Sequence, residues 1–385
     1  MATIYRTNNA PSVSQISTVT FSSIVSTNTY SIVINGKAIS YVALSSTAAT
    51  LYAALMNAWN SSPEPEHQEL IASGGITSVI LTARAAGVPS SVTATATTGT
   101  ATVTATQAAS GPRFWSGSAN WSAAPATGDT LIIQDTSGDI LYGLTDTNNY
   151  AVLKIAATFT GKIGLSAIND NGYSEYRATD LTLGNGSAPI TIEVGEGSGQ
   201  GSTRVNVNVV GAATTLVVFD SGRASSGFAI NLSNPGATST IAMYAGSLKV
   251  TSTSSVTIAS ANVLSASGSS ASIYLGSTIT TTLATFYGVQ AELWGPVTTL
   301  NAFESTMAKA NGTAAIATIN VGSDGVFDAS KAVNAFTVTN ASCFSRGAIK
   351  DPMSRATWTN GIKVEGGRLG EVDLEVGFAK TISVA

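Results

Sequence analysis

Apolar and polar residues alternate along most of the chain, and one stretch in the first hundred residues breaks into a helical period. From Ile16 to Val25 and from Tyr30 to Ile34 β-branched and aromatic residues recur at every second position. Asn35-Gly36 follows, two residues that tolerate positive φ, and Lys37–Val42 resumes the alternation. Two such runs around Asn-Gly predict a β-hairpin. The period then changes: Leu51, Leu55 and Trp59 lie four apart, with Ala48, Tyr52 and Met56 on the neighbouring row. Ser45, Ser46 and Thr47 are N-cap candidates and Asn60-Ser61-Ser62-Pro63 ends the pattern, which predicts one amphipathic helix of about three turns. Runs near Gln68–Ala72, Ser78–Ala83 and Ser91–Thr97 predict strands that complete a small sheet beneath it. Ala94–Ala109, nearly all Thr, Ala, Gly and Val, predicts an edge-strand hairpin around Thr98-Gly99.

Pro112–Ile133 divides the chain. Trp115 and Trp121 stand among Gly, Ser, Asn and Pro, and Thr127-Gly128-Asp129 leads into an apolar run. Beyond it, short apolar runs recur at Leu131–Gln134, Ile140–Tyr142, Ala151–Ile155, Leu181–Leu183, Ile190–Val194, Val205–Val209, Leu216–Phe219 and Ala229–Leu232. One motif repeats, an alternating run, a glycine and an apolar restart, at Gly246, Gly276, Gly295 and Gly322, with spacings of 30, 19 and 27. A sharp corner needs positive φ or close backbone approach, both of which glycine permits. The expected fold is therefore mainly β: an α+β docking module over 1–111, a right-handed parallel β-helix over 112–345, and a β cap or subunit-contact segment over 346–385. Tandem β-sandwiches are the alternative. In this scheme Trp115, Trp121 and Asp129 form a cap over the first rung. In the last segment Glu371, Asp373 and Glu375 alternate with Val372, Leu374 and Val376, giving one acidic and one apolar face.

Composition narrows the functional classes. Of 385 residues only 10% are charged, the net charge is −4, and 37 are glycine. Hydroxyl side chains thus keep the surface soluble, as in extracellular and viral β-proteins. No clustered basic face exists, so nucleic acid is not an expected partner. No run reaches the length of a membrane span, and no basic segment followed by an apolar core opens the chain, so no secretory signal is expected. The single cysteine, Cys343, has no partner for a disulfide and reads as a small buried hydrophobe.

The order T-Y-S-I-V-I-N-G-K-A-I-S-Y, a helix ending A-W-N, then P-E-x-x-E-L-I-A and V-I-L-T-A-R-A-A-G-V-P resembles a small α+β module of tailed-bacteriophage virion proteins. The resemblance covers Val19 to Thr106, implies a structural or docking role, and carries no catalytic residues. The stretch F-W-S-G-S-A-N-W-S-A-A-P-A-T-G-D-T-L-I-I is similar to the start of solenoid regions of the autotransporter and tailspike type.

Candidate chemistry is sparse. Carboxylates of the coil are Glu193, Glu196, Asp220, Glu292, Glu304, Asp324 and Asp328, and a glycosidase needs two of them across one sugar. Asp324 and Asp328 are the best local pair in sequence, but they flank a glycine turn. The basic residues a lyase would need are equally few: Arg204, Arg223, Lys249, Lys309 and Lys331. Asn169–Gly172 reads as a turn rather than a calcium loop, because the later acidic ligand is not at the required spacing. Gly195–Gly201 reads as a loop without the Lys-Ser/Thr of a phosphate cradle. Pro63–Glu69, with His67, reads as a solvated acidic turn rather than a metal cluster. Tyr287 and Trp294 are candidate glycan contacts, with Tyr274 in the same aromatic group. The expectation is a non-enzymatic virion component with no cofactor, assembled as a homo-oligomer, with a trimer as candidate, and partnered by other virion proteins. A head decoration or cement protein is favoured, a tail fibre or tailspike binding host polysaccharide is the alternative, and a secreted adhesin is third. Release by lysis would then place it in the particle.

Overall fold

Inward-facing apolar residues stack in columns along most of the described chain. The computed structural model describes residues 2–134, 138–169, 171–196, 204–221, 227–265, 271–312, 315–372 and 383–384. Most of the protein is a parallel β-solenoid of about ten turns. Each coil gives one strand to a first sheet and one to a second, and every named ladder in both sheets is parallel. Sandwiches would need antiparallel hairpins at these positions, so the alternative fold is excluded.

In the first sheet Leu131, Leu153, Ile192, Leu216 and Ile241 are register partners in turn, followed by Ala261, Ala284, Leu300, Ile319, Ala341 and Ile362. In the second, Leu181, Val207, Leu232, Val250, Leu275 and Leu293 do the same. All lie in one continuous core. Rungs run from 16 residues between Ala284 and Leu300 to 39 between Leu153 and Ile192. Alternation along each strand turns the intervening residues outward, where amides bond from rung to rung. Asn320 Nδ2 donates to Asn301 Oδ1 (2.9 Å) and Asn301 Nδ2 to Thr285 Oγ1 (3.2 Å).

The chain begins inside this coil. Strand β1 (Thr3–Tyr5) pairs in parallel with β9 (Thr130–Ile133), Ile4 against Leu131, so the N-terminus supplies the first strand of the first sheet. The expected module starting at residue 1 is instead an insertion between β1 and β9. Its incoming and outgoing chains pair at a neck, where Val13 N–H donates to Ser110 O (2.9 Å).

Within the insertion, β2 (Ile16–Phe21), β3 (Thr29–Ile34) and β4 (Lys37–Val42) precede α1 (Ala48–Asn60) and α2 (Pro65–Gln68). Then come β5 (Leu70–Gly74), β6 (Val79–Ala83), β7 (Val92–Ala96) and β8 (Ala101–Gln107). The Asn-Gly hairpin is present, with φ of 46° at Asn35 and 89° at Gly36. Leu51, Tyr52, Leu55 and Trp59 are the buried face of α1. Two sheets, in the orders β5-β6-β2-β8 and β4-β3-β7, replace the single sheet expected. The Thr/Ala segment is divided between them: β7 pairs with β3 and β8 with β2 rather than with each other. Thr-Ala alternation specifies a strand but carries too little apolar area to specify its partner. The insertion has its own core, from Val19 to Ala83, separate from that of the coil.

The corner glycines act in two ways. Gly246 has φ of 95°, whereas Gly295 sits where a Cβ would run into the Ile279 carbonyl oxygen and at Gly276 the nearest atom to a Cβ would be Val250 O at 3.2 Å. Gly295→Ala should therefore destabilise the coil by about 1–3 kcal/mol in urea unfolding, and Gly276→Ala by under about 1 kcal/mol. Equal effects would contradict close approach as the reason for glycine at position 295.

Candidate functional site

A parallel coil leaves one row of backbone groups unpaired at each end, and the first end is closed by the tryptophan segment. Arg6 and Trp121 form an antiparallel bridge, Ser122 N–H donates to Tyr5 O (2.8 Å), and Thr7 N–H donates to Asn120 O (2.7 Å). Residues 120–122 thus lie along the outer edge of β1. Trp115 and Trp121 are 1% and 5% exposed and meet edge to face, with ring centroids 5.0 Å apart. Both indole N–H groups are used: Trp115 Nε1 donates to Asp146 Oδ2 (2.7 Å) and Trp121 Nε1 to Trp115 O (2.9 Å). Tyr150 also donates to Asp146 Oδ2 (2.5 Å), and burial followed by the Asp146 bond raises its phenol far above the usual range.

Arg6 lies across this cap. Its guanidinium stands 5.1 Å from the centre of the Trp121 ring and donates to Pro112 O (2.7 Å) and Phe114 O (3.0 Å). Burial lowers it to about 10. Asp129 holds the N-terminus, accepting from Ala2 N–H (2.7 Å) and Ala126 N–H (3.0 Å), and the Ala2 bond keeps its carboxyl below the ordinary range. Trp115 and Trp121 are therefore together at the far end of β1, Asp129 holds its start, and the edge the tryptophan segment closes belongs to β1 rather than to β9. A cavity of about 320 Å³ beside them is lined by Trp115, Trp121, Pro125, Asp146 and Asn148, among others.

The glycan candidates are not together. Tyr287 and Trp294 flank the strand Val289–Leu293 at opposite corners of the coil. Tyr287 packs on Phe303, with centroids 5.3 Å apart, and Trp294 packs on Tyr274 at 6.1 Å. The outer face of the second sheet carries a column that sequence spacing does not reveal: Lys249, Tyr274, Glu292, Lys309, Asp328 and Lys350 are successive register partners. The Lys249 ammonium stands 5.2 Å from the centre of the Tyr274 ring, and Phe228 meets the same ring at 6.0 Å.

The coil carboxylates are dispersed. Glu193 pairs with Lys154 on the first sheet (3.6 Å), Glu292 lies on the second, and Glu304 occupies a positive-φ turn. Asp324 pairs with Arg346 (2.7 Å), while Asp328 accepts from Ser330 N–H (2.8 Å). Asn169 Oδ1 accepts from Asn171 and Tyr173 N–H, which makes its segment a turn. Cys343 is buried, and its thiol donates to Gly347 O (3.2 Å). Asp170, Arg223, the 197–201 part of the glycine loop, and Asp373, Leu374, Glu375 and Val376 lie outside the described residues. No group of three or more His, Cys, Asp or Glu suited to a metal ion occurs among the described residues.

One stretch differs from expectation. Glu66 and His67, expected in a solvated turn, are 1% and 2% exposed. His67 packs on Trp59 with centroids 4.8 Å apart and its Nδ1 bonds Ser62 Oγ (2.7 Å), while Glu66 Oε1 accepts from Ser174 N–H of the coil (3.1 Å). The long rung between Leu153 and Ile192 carries Ser174, so its excursion is what reaches the insertion. Nothing local in the sequence signals a partner a hundred residues away.

No family model, curated protein or solved structure matches the chain. Replacing Trp115 and Trp121 together by Ala should cost the coil several kcal/mol, at about 3–5 kcal/mol per residue for a buried tryptophan. Hydrogen exchange should then rise at 130–133 while 51–59 stays protected by the insertion's own core. Trp115→Phe, which keeps most of the ring volume and removes the bond to Asp146, should cost about 1–3 kcal/mol.

Proposed function

We propose that the chain is a non-enzymatic structural component of a tailed-phage virion, most simply a surface decoration protein. In this reading the solenoid is a stiff body and the inserted α+β module contacts other virion proteins. The observation that carries it is the single core cluster that, among the described residues, includes Ile4 at one end of the coil and Ile362 near the other. The resemblance of Val19–Thr106 to virion modules supports the same role, as does a surface built from hydroxyl and amide groups. Copies of the chain would associate through the solenoid, and release would follow lysis. Quantitative mass spectrometry of purified particles tests the decoration role. A copy number approaching that of the shell protein is expected, and a few dozen copies or fewer would overturn it.

The second reading is a fibre or spike that binds host polysaccharide. It is favoured by the half-buried Tyr274 and Trp294 rings beside Lys249 and Phe228 on the outer face. Stacking on such rings is a common mode of sugar recognition, and the neighbouring charges supply hydrogen bonds. Under this reading Trp294→Ala should weaken binding to host glycans at least about tenfold, equivalent to about 1.4 kcal/mol, with thermal unfolding little changed. Undiminished binding would remove the outer face from consideration.

A further inference from the structure

The insertion is tied to the solenoid covalently at two chain crossings only, on either side of the Val13–Ser110 neck. The two units also meet along a seam that carries three carboxyl groups. From the insertion come Glu66, on α2, and Glu69, at the start of the chain leading into β5. From the coil comes Glu175, on the excursion of the long rung. Glu66 is buried, and only its Oε1 is bonded, to Ser174 N–H; its Oε2 has no partner. Glu69 and Glu175 line one cavity of about 200 Å³ with Arg84, Arg113, Tyr142 and Tyr176.

Every element packed around Glu69 contributes to its surroundings. Asn35, from the turn between β3 and β4, donates to Glu69 Oε2 (3.2 Å). On its own side stand Glu66 and the buried His67, whose ring is engaged with Ser62. Lys37 is taken by Glu64 at 3.0 Å. After β6, Arg84 is largely exposed, and its N–H donates to Glu69 O (3.0 Å). On the coil side Arg177 is committed to Glu175 at 2.8 Å, and Arg113 is exposed, beside Tyr142 and 3.9 Å from Asp139. No cation is paired with Glu69 among the described ion pairs. Burial first, then the charges of Glu175 and Glu66, push its carboxyl up to about 7 from the ordinary 4.5, and the Asn35 bond offsets this only in part.

We propose that the seam is a proton-controlled hinge: it stays closed while Glu69 holds a proton and loosens when Glu69 gives it up beside Glu66 and Glu175. Closure raises the affinity of Glu69 for its proton, so by linkage protons favour closure. The contribution is complete below about pH 4.5, the value of the free carboxyl, and is lost as pH rises through the closed-state value near 7. Glu69 is partly solvated, so screening reduces the effect below what the full shift would give. Opening would turn the whole insertion about its neck without unfolding either core, because the two cores are separate. The hinge rests on the seam alone and stands whatever the chain is attached to.

The amide of Ser174 reports the seam directly, since its donor bond crosses it. Hydrogen exchange of the intact protein, corrected for intrinsic chemical rates, should show protection at Ser174 falling about tenfold from pH 5 to pH 8. The radius of gyration from X-ray scattering should rise over the same window. In Glu69→Gln, which copies the protonated carboxyl, protection should stay at the pH 5 level throughout. Glu175→Gln leaves the insertion untouched and should shrink the fall and move its midpoint to lower pH, because Glu69 loses a neighbouring charge only in the closed state and its closed-state value returns towards the free one. Glu64→Gln, outside the seam, should behave as the natural chain. The hinge is overturned if protection in the natural chain is flat with pH, if Glu69→Gln falls as the natural chain does, or if Glu175→Gln leaves the fall unchanged.

Discussion

The structure depends on one constraint: in a parallel coil each strand's free edge must be paired by the strand of the next rung. Backbone groups left unpaired and buried cost on the order of a lost hydrogen bond each. The interior is solved by repetition, with one inward apolar residue stacked on its register partner from Leu131 to Ile362. Outward positions add amide ladders such as Asn320 to Asn301. The rungs need not be equal in length, because only the strand residues stack and surplus chain leaves at the corners. That tolerance lets one rung hold 16 residues and another 39 without a break in the column.

Repetition cannot serve the first edge. The chain meets this by sending its N-terminus in as β1, then returning with residues 120–122 along the outer side of β1. The apolar weight of Trp115 and Trp121 closes the core, and their N–H groups are satisfied by Asp146 and a carbonyl rather than by water. Arg6 joins the two segments through backbone carbonyls and the Trp121 ring. The inserted residues leave and return together at the Val13–Ser110 neck, within the connection that carries the chain from β1 to β9. The insertion thus hangs from the connection that closes the first edge, and its two connecting segments form a natural pivot.

Legibility in the sequence followed from how local each signal was. The Asn35-Gly36 hairpin, the α1 face of Leu51, Leu55 and Trp59, and the strand-glycine-strand motif are all encoded within about ten residues, and all are present. The tryptophan cap was legible from composition, because two large rings among small residues have few other uses. Register was not. The Lys249–Tyr274–Glu292 column joins residues about twenty apart by spacings that vary with each corner, and no single period exposes it. The place of Thr3–Tyr5 in the coil was hidden for the same reason, since a three-residue strand carries no period of its own.

The seam was the least legible feature, and the reason is physical. A run such as Pro63–Glu69 reads as solvated because isolated carboxylates are rarely buried. What overrides that preference is tertiary: Trp59 and His67 anchor α2 from one side, and the excursion bearing Ser174 and Glu175 closes over it from the other. A chain with only 10% charged residues has placed three carboxyls at a contact between its insertion and its coil. Apolar residues there would bind the insertion more firmly at every pH. Carboxyls make the strength of the contact depend on protons, so the composition of the seam is better suited to an attachment that changes than to one that is permanent.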